Sequence, residues 1–226
     1  MASTNFFLET VKKIPLWIPL LIAAVIICCV VIAKRQERPK AAARQIYPTL
    51  RHEVSRSGPF SSAQAVSLFL PVAVELSNIH RAGSRYRRLS PETILLSGEE
   101  ARLMRAGETG RSDSFTDLFL APEFFSGPGT SAASDQYSFF ASLGYAVTGK
   151  QPYFLHRRKP DSIAFSKNDI EDDGLRAILN KGMSVRPKDR YKSMSEAAFA
   201  LFGILDPEAA GRGESPFDRY PDRTVI

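Results

Sequence analysis

Cysteine is almost missing from this chain: the adjacent Cys28 and Cys29 are all it has. Neighbouring cysteines cannot staple distant parts of a fold, so a disulfide framework is excluded, and no metal-ligand spacing occurs. Acidic residues are the minority, with 24 Asp+Glu against 30 Lys+Arg and a formal net charge of +6. That balance points to anionic partners, a role a membrane surface fills as well as nucleic acid. No internal repeat is present, which excludes solenoids and propellers. No G-x-G-x-x-G occurs either, so the usual sequence sign of a glycine-rich nucleotide loop is lacking.

Charge is wholly absent from Ile14 to Ala33, IPLWIPLLIAAVIICCVVIA. A helix of about 20 apolar residues spans a hydrocarbon core of roughly 30 Å. A secretory signal has a shorter apolar region followed by a small-residue cleavage site, whereas this run ends in Lys34-Arg35. Pro15 and Pro19 fall in the first turns, where a missing N–H costs least, and Trp17 suits the interface. A retained single-pass anchor is expected, with Cys28 and Cys29 packing inside it rather than acylated. Lys12 and Lys13 precede the run, while Lys34, Arg35, Arg38, Lys40 and Arg44 follow it. The larger basic flank stays cytoplasmic, which predicts a cell-membrane protein whose C-terminal domain faces the cytoplasm. The same cluster either contacts anionic headgroups or only sets topology.

Residues 34–60 are polar, basic and interrupted by Pro39, Pro48 and Pro59, so they are expected to form a linker with at most a short helix between Arg44 and Ser55. From Ser61 the pattern changes. Ser61 and Gln64 are spaced as a capping box ahead of Ala65, Val66, Leu68, Phe69, Leu70, Val72, Ala73, Leu76 and Ile79. Pro71 is expected to kink or divide this helix, and Gly83 to end it. Asp135 to Val147 is nearly uncharged after its first residue and apolar on most sides, which marks a buried helix. Thr130, Ser131 and Ser134 offer N-caps for it, and Gly149 sits where a C-terminal glycine stops a helix. Asp172 opens a further helix, with Glu171, Asp172 and Asp173 read as N-terminal charges rather than metal ligands. Ser193 and Glu196 begin the last helix, through Leu205, and residues 206–226 are expected to be a disordered tail.

Ala121-Pro122-Glu123, then Ser134-Asp135-Gln136-Tyr137-Ser138, then Thr148-Gly149-Lys150-Gln151-Pro152-Tyr153 stand in one register. This order resembles the large lobe of a protein kinase, whose pattern reads APE, S-D-x-Y-S and T-G-x-x-P-[FY]. Upstream, Tyr86-Arg87-Arg88-Leu89-Ser90-Pro91-Glu92-Thr93 resembles the catalytic loop H-R-D-L-K-P-E-N, followed by a short apolar strand, Ile94 to Leu96. Arg102 to Gly107 falls where the family has D-F-G, Arg111 to Asp117 where it has an activation segment, and Pro187 to Tyr191 resembles P-x-D-R-[YF]. The resemblance covers about Ser61 to Leu205 and is closest in flavour to bacterial membrane Ser/Thr kinases.

It implies a division between scaffold and chemistry. Asp135 matches the acid that accepts backbone N–H bonds from the catalytic loop, and Glu123 matches the acid that pairs with a later arginine, here Arg190. The loop Asp, loop Lys, loop Asn and D-F-G Asp fall instead on Arg88, Ser90, Thr93 and Arg105. Arginine neither accepts a proton near neutral pH nor ligates a divalent cation. Only Lys34 to Phe60 is available for a small lobe. The resemblance with these departures implies a degenerate, pseudokinase-like large lobe that is not an enzyme, with no catalytic residues, no metal and no nucleotide or other cofactor.

Arg81, Arg85, Arg87 and Arg88 form a basic cluster, which Arg105 joins if the fold brings it near; it is either a solvated loop or a site for an acidic partner or phosphate. His80 is read as a packing or capping histidine, and Phe124 and Phe125 as core or segment packing. The expected protein is mainly α: a flank (1–13), a transmembrane helix (14–33), a basic linker (34–60), a kinase C-lobe-like domain (61–205) and a tail (206–226). Its expected role is protein binding or scaffolding at a membrane. Arg85, Arg87, Arg88 and Arg105 face an acidic protein partner, and no nucleic acid is expected. The alternatives are a divergent phosphotransferase completed by a small lobe in trans, and a structural adaptor unrelated to kinases.

Overall fold

A computed structural model describes residues 47–98, 100–105, 108, 114–126, 130–152 and 165–220. The chain divides into two units, residues 1–46 and 47–226. The expected membrane helix Ile14–Ala33 and its basic flanks therefore lie outside the described residues, as do Gly107, Arg111, Tyr153 and Phe154.

The described domain is mainly helical. α1 (Leu50–Ser57) buries Leu50 and Val54, one turn apart, and is capped by Thr49, whose hydroxyl accepts from His52 N at 3.2 Å. It is tied to the next part of the chain by Arg51 N donating to Pro91 O and by Leu96 N donating to Pro48 O. The end of the predicted linker is thus part of the domain.

α2 (Ser62–Arg81) opens with the capping box expected from Ser61 and Gln64. Pro71 does not divide it. A proline inside a helix removes one donor and crowds the preceding turn. Here the cost is borne because side chains on nearly every face, from Ala65 through Leu76, are buried against other elements, chiefly α7 (Met194–Leu205). α2 is long and apolar enough to cross a membrane by length and composition, yet its apolar surface forms the core of this domain.

β1 (Ile94–Ser97) and β2 (Glu100–Leu103) pair antiparallel with Ile94 opposite Leu103, and β2 lies against α2. Short helices α3 (Ser114–Asp117) and α4 (Pro122–Ser126) lead to α5 (Ala132–Thr148). α5 is the buried helix the sequence predicts: residues 134–146 are all buried, Ser131 caps its start, and Gly149 ends it at φ 67°, donating to Tyr145 O. α6 (Asp173–Gly182) is capped by Asp172, and a 3-10 turn follows at Pro187–Asp189. In α7, Ser193 accepts from Glu196 N, but the Glu196 carboxylate turns to Lys192 N and Lys181 Nζ instead of closing a full capping box.

The predicted disordered tail is corrected over 206–220. α8 (Pro207–Gly211) and α9 (Pro216–Arg219) are short helices, each with proline in its first turn and a capping side chain, Asp206 and Ser215. Ala209 and Pro216 are buried, and Phe217 packs on the core, so a few apolar residues suffice to seat a segment otherwise rich in charge.

Candidate functional site

The segment between α2 and β1 is held from below by one carboxylate. Asp135, in the first turn of α5, is 1% exposed and accepts from Tyr86 N at 2.8 Å and Arg87 N at 2.7 Å. Its Oδ2 also lies 3.0 Å from His80 Nε2, at the end of α2. An ionised acceptor strengthens each of these bonds, and a buried carboxylate needs such donors. Arg87 takes the left-handed φ of 77°, uncommon for a residue with a side chain. Further along, Ser90 N donates to Thr93 Oγ1 and Thr93 N to Ser90 O, closing a turn above the buried Leu89 and Ser90. Tyr86 donates its hydroxyl to Met104 O at 2.7 Å, and burial pushes its phenol well up. Glu92 pairs with Arg51 of α1 at 2.6 Å.

On this frame Arg85, Arg87 and Arg88 are exposed. Arg88 meets Asp117 of α3 at 3.0 Å, both side chains about half exposed. Arg105 has different neighbours. Its backbone N–H donates to Glu108 at 2.6 Å, and the residue lines a groove of about 220 Å³ with Tyr47, Pro71, Glu75 and Tyr220. Glu108 is gripped by both terminal nitrogens of Arg102; that hydrogen bonding, reinforced by Arg105 N, brings its carboxyl down to about 2. The structure thus groups Arg85, Arg87 and Arg88 on one loop. Arg105 belongs to the hairpin end.

The second buried support joins α4 to the turn after α6. Arg190 faces Glu123 through two parallel bonds of 2.7 and 2.8 Å, and its side chain is 0% exposed. Its other donors reach Ser184 O, Ala133 O and Val185 O, so every guanidinium N–H has an acceptor. Burial raises the Glu123 carboxyl, but Arg190, its own backbone N–H and Ser134 outweigh that and hold it below its ordinary 4.5. Beside this pair, the buried Gln136 amide donates to Tyr191 O and accepts from Tyr191 N.

Several of these contacts were invisible in the sequence. His80 is more than a packing residue, since it faces Asp135; its place at the end of the helix before the loop was the available signal. The contacts Arg88–Asp117, Arg102–Glu108 and Gln136–Tyr191 carried no motif. Phe124 is half-buried and stacks edge-on against Phe125, which is 63% exposed.

The chain is similar to curated serine/threonine kinases along most of its length. A probable serine/threonine-protein kinase of Corynebacterium efficiens is 27% identical over 207 residues, 78% of this chain and 31% of the relative. PknD of Mycobacterium tuberculosis is 25% identical over 200 residues, 79% of this chain and 30% of the relative. The chain therefore spans under a third of the length of these relatives. Among solved structures, the kinase domain of Mycobacterium tuberculosis PknI superposes with a TM-score of 0.55 at 19% identity, over 69% of this chain and 61% of that one. No family model matches the chain.

These relatives overturn the expectation that the chain is not an enzyme, because the proteins it matches are named kinases. That expectation rested on the expected lack of a small lobe and on the residue types at Arg88 and Arg105. In the folded domain the Arg88 guanidinium is paired with Asp117, while the Arg105 backbone N–H donates to Glu108, whose carboxylate is held by Arg102. The likeness in structure and the matches along the sequence together give this chain a protein-kinase-like fold.

Proposed function

We propose that this kinase-like domain is a protein-binding module, held at a membrane by Ile14–Ala33 with the domain on the cytoplasmic side, and that an acidic segment of the partner docks on Arg85, Arg87 and Arg88. The observation that carries the proposal is the grip of Asp135 on Tyr86 N and Arg87 N. Fixing the main chain from beneath leaves three neighbouring guanidiniums exposed on a loop of defined shape. Pre-organised cations lose less entropy on engaging carboxylates, and exposed charge steers an oppositely charged partner.

Photo-crosslinking in cells from position 85 of the full chain tests this. A discrete crosslinked protein is expected, lost when Arg87 and Arg88 are both changed to Glu while the melting temperature holds. An undiminished crosslink in that variant would remove the loop as the docking surface. A reporter fused after Ile226 should resist protease added outside intact cells; a secreted, cleaved product would show Ile14–Ala33 to be a signal peptide.

A phosphotransferase completed by a small lobe from elsewhere is the second reading, favoured by the kinase names of the relatives. Labelled ATP with magnesium, added to membranes containing the full chain, discriminates: label transferred in the presence of the chain and not in its absence supports this reading over pure binding.

A further inference from the structure

Asp117 and Arg88 are both set by buried neighbours. Asp117 is the exposed member of a stretch in which Phe115, Thr116, Leu118 and Phe119 are buried, and the Thr116 hydroxyl lies 3.4 Å from that of the buried Ser90. Arg88 is bracketed by Arg87, whose N–H is bound by Asp135, and by Leu89 and Ser90, both 0% exposed. Two side chains about half open to water thus face each other at 3.0 Å from fixed backbones, 29 residues apart.

We infer that Asp117 is a built-in competitor for the docking loop: its carboxylate fills the Arg88 guanidinium until an acidic partner segment replaces it. The inference rests on the docking role proposed above for Arg85, Arg87 and Arg88. A tethered carboxylate acts at a high effective concentration, so a single free carboxylate in solution displaces it poorly. Among the described residues, however, Asp117 pairs with Arg88 and with no second cation. A segment bearing several carboxylates engages Arg85 and Arg87 as well, and those added contacts favour the exchange. The device therefore selects runs of acidic residues over isolated ones. An exposed pair is weak, so the barrier it sets is a few-fold in affinity and not a block.

The test uses the full chain in nanodiscs of neutral lipid and a fluorescein-labelled octaglutamate peptide, read by anisotropy at about 50 mM salt, where screening is modest. Asp117→Asn should tighten binding about threefold, the size expected for releasing an exposed pair. The gain should vanish in the Arg88→Gln background, and Asp218→Asn, which removes another exposed acid elsewhere, should not reproduce it. In parallel, phenylglyoxal modification of Arg88, followed by peptide mass mapping, should be faster in Asp117→Asn than in the wild type. Equal peptide affinity of wild type and Asp117→Asn overturns the competitor role and leaves the docking loop standing. A gain that persists without Arg88 also overturns it, as a generic charge effect. If no variant binds the peptide while Arg88 reacts faster in Asp117→Asn, the pair is real but the docking role falls, and the competitor role with it.

Discussion

Arg190 and Arg88 each face a carboxylate at hydrogen-bond distance, yet the two pairs do different work. Arg190 is fully buried, grips Glu123 with two bonds and gives its remaining donors to three backbone carbonyls. Arg88 is about half exposed and shares one bond with Asp117. In the first pair the low-dielectric surroundings make separation expensive; in the second, water substitutes for either partner at little cost. Burial, and not the presence of an ion pair, separates a structural tie from an exchangeable contact.

The comparison breaks first at Arg190. Arg190→Met removes the ion partner of Glu123 and one donor from each of three carbonyls, and should cost about 3–5 kcal/mol of unfolding free energy, measured by urea denaturation. Glu123→Gln should cost less, because the buried guanidinium keeps its carbonyl acceptors, and the double variant should cost less than the sum of the singles. Strict additivity would show that the two side chains do not support each other.

Asp135→Asn comes next, with an expected loss of about 2–3 kcal/mol, since an amide cannot accept from both backbone N–H groups as a carboxylate does. Hydrogen exchange at Tyr86 and Arg87 should speed up in the same variant; unchanged protection there would mean another group holds the loop.

A smaller effect is set by pH. The Glu123 carboxyl lies below its ordinary 4.5 in the folded state, so the stability it contributes is fully present above that value and is lost as pH falls through the lowered folded value. The gap in stability between wild type and Glu123→Gln should therefore narrow in acid. A gap that widens below pH 4.5 would contradict the sign of the shift.

The smallest effect belongs to the exposed pair. Arg88→Gln should change stability by no more than about 0.5 kcal/mol. A loss near that of Arg190→Met would place Arg88 among the structural ties and undo the contrast.

What was legible in the sequence shares one property: it was local or sat in a spaced motif. Ser61 with Gln64, Ser131 and Gly149 announce helix ends through the hydrogen bonds a helix terminus needs. Glu123, Asp135 and Arg190 stand out because motifs in register name them. The contacts Arg88–Asp117 and Gln136–Tyr191 join residues 29 and 55 positions apart with no periodicity to betray them. Pro71 misleads as a helix divider because a local rule meets a helix whose surroundings keep it continuous. The tail misleads because its few apolar anchors are outnumbered by charge. Arg88 and Arg105 are only partly legible for a related reason, since a motif position names a residue without its neighbours.

Asp135 grips the loop through main-chain N–H groups, which every residue but proline supplies at positions 86 and 87. Such an anchor reads no outward side chain, although the left-handed φ of Arg87 and the Tyr86 bond to Met104 O restrict those two positions. The loop can exchange one set of outward side chains for another while its path stays fixed, so its surface is free to diverge without a matching change in the core. A platform of this kind separates the evolution of what the domain presents from the evolution of how it folds.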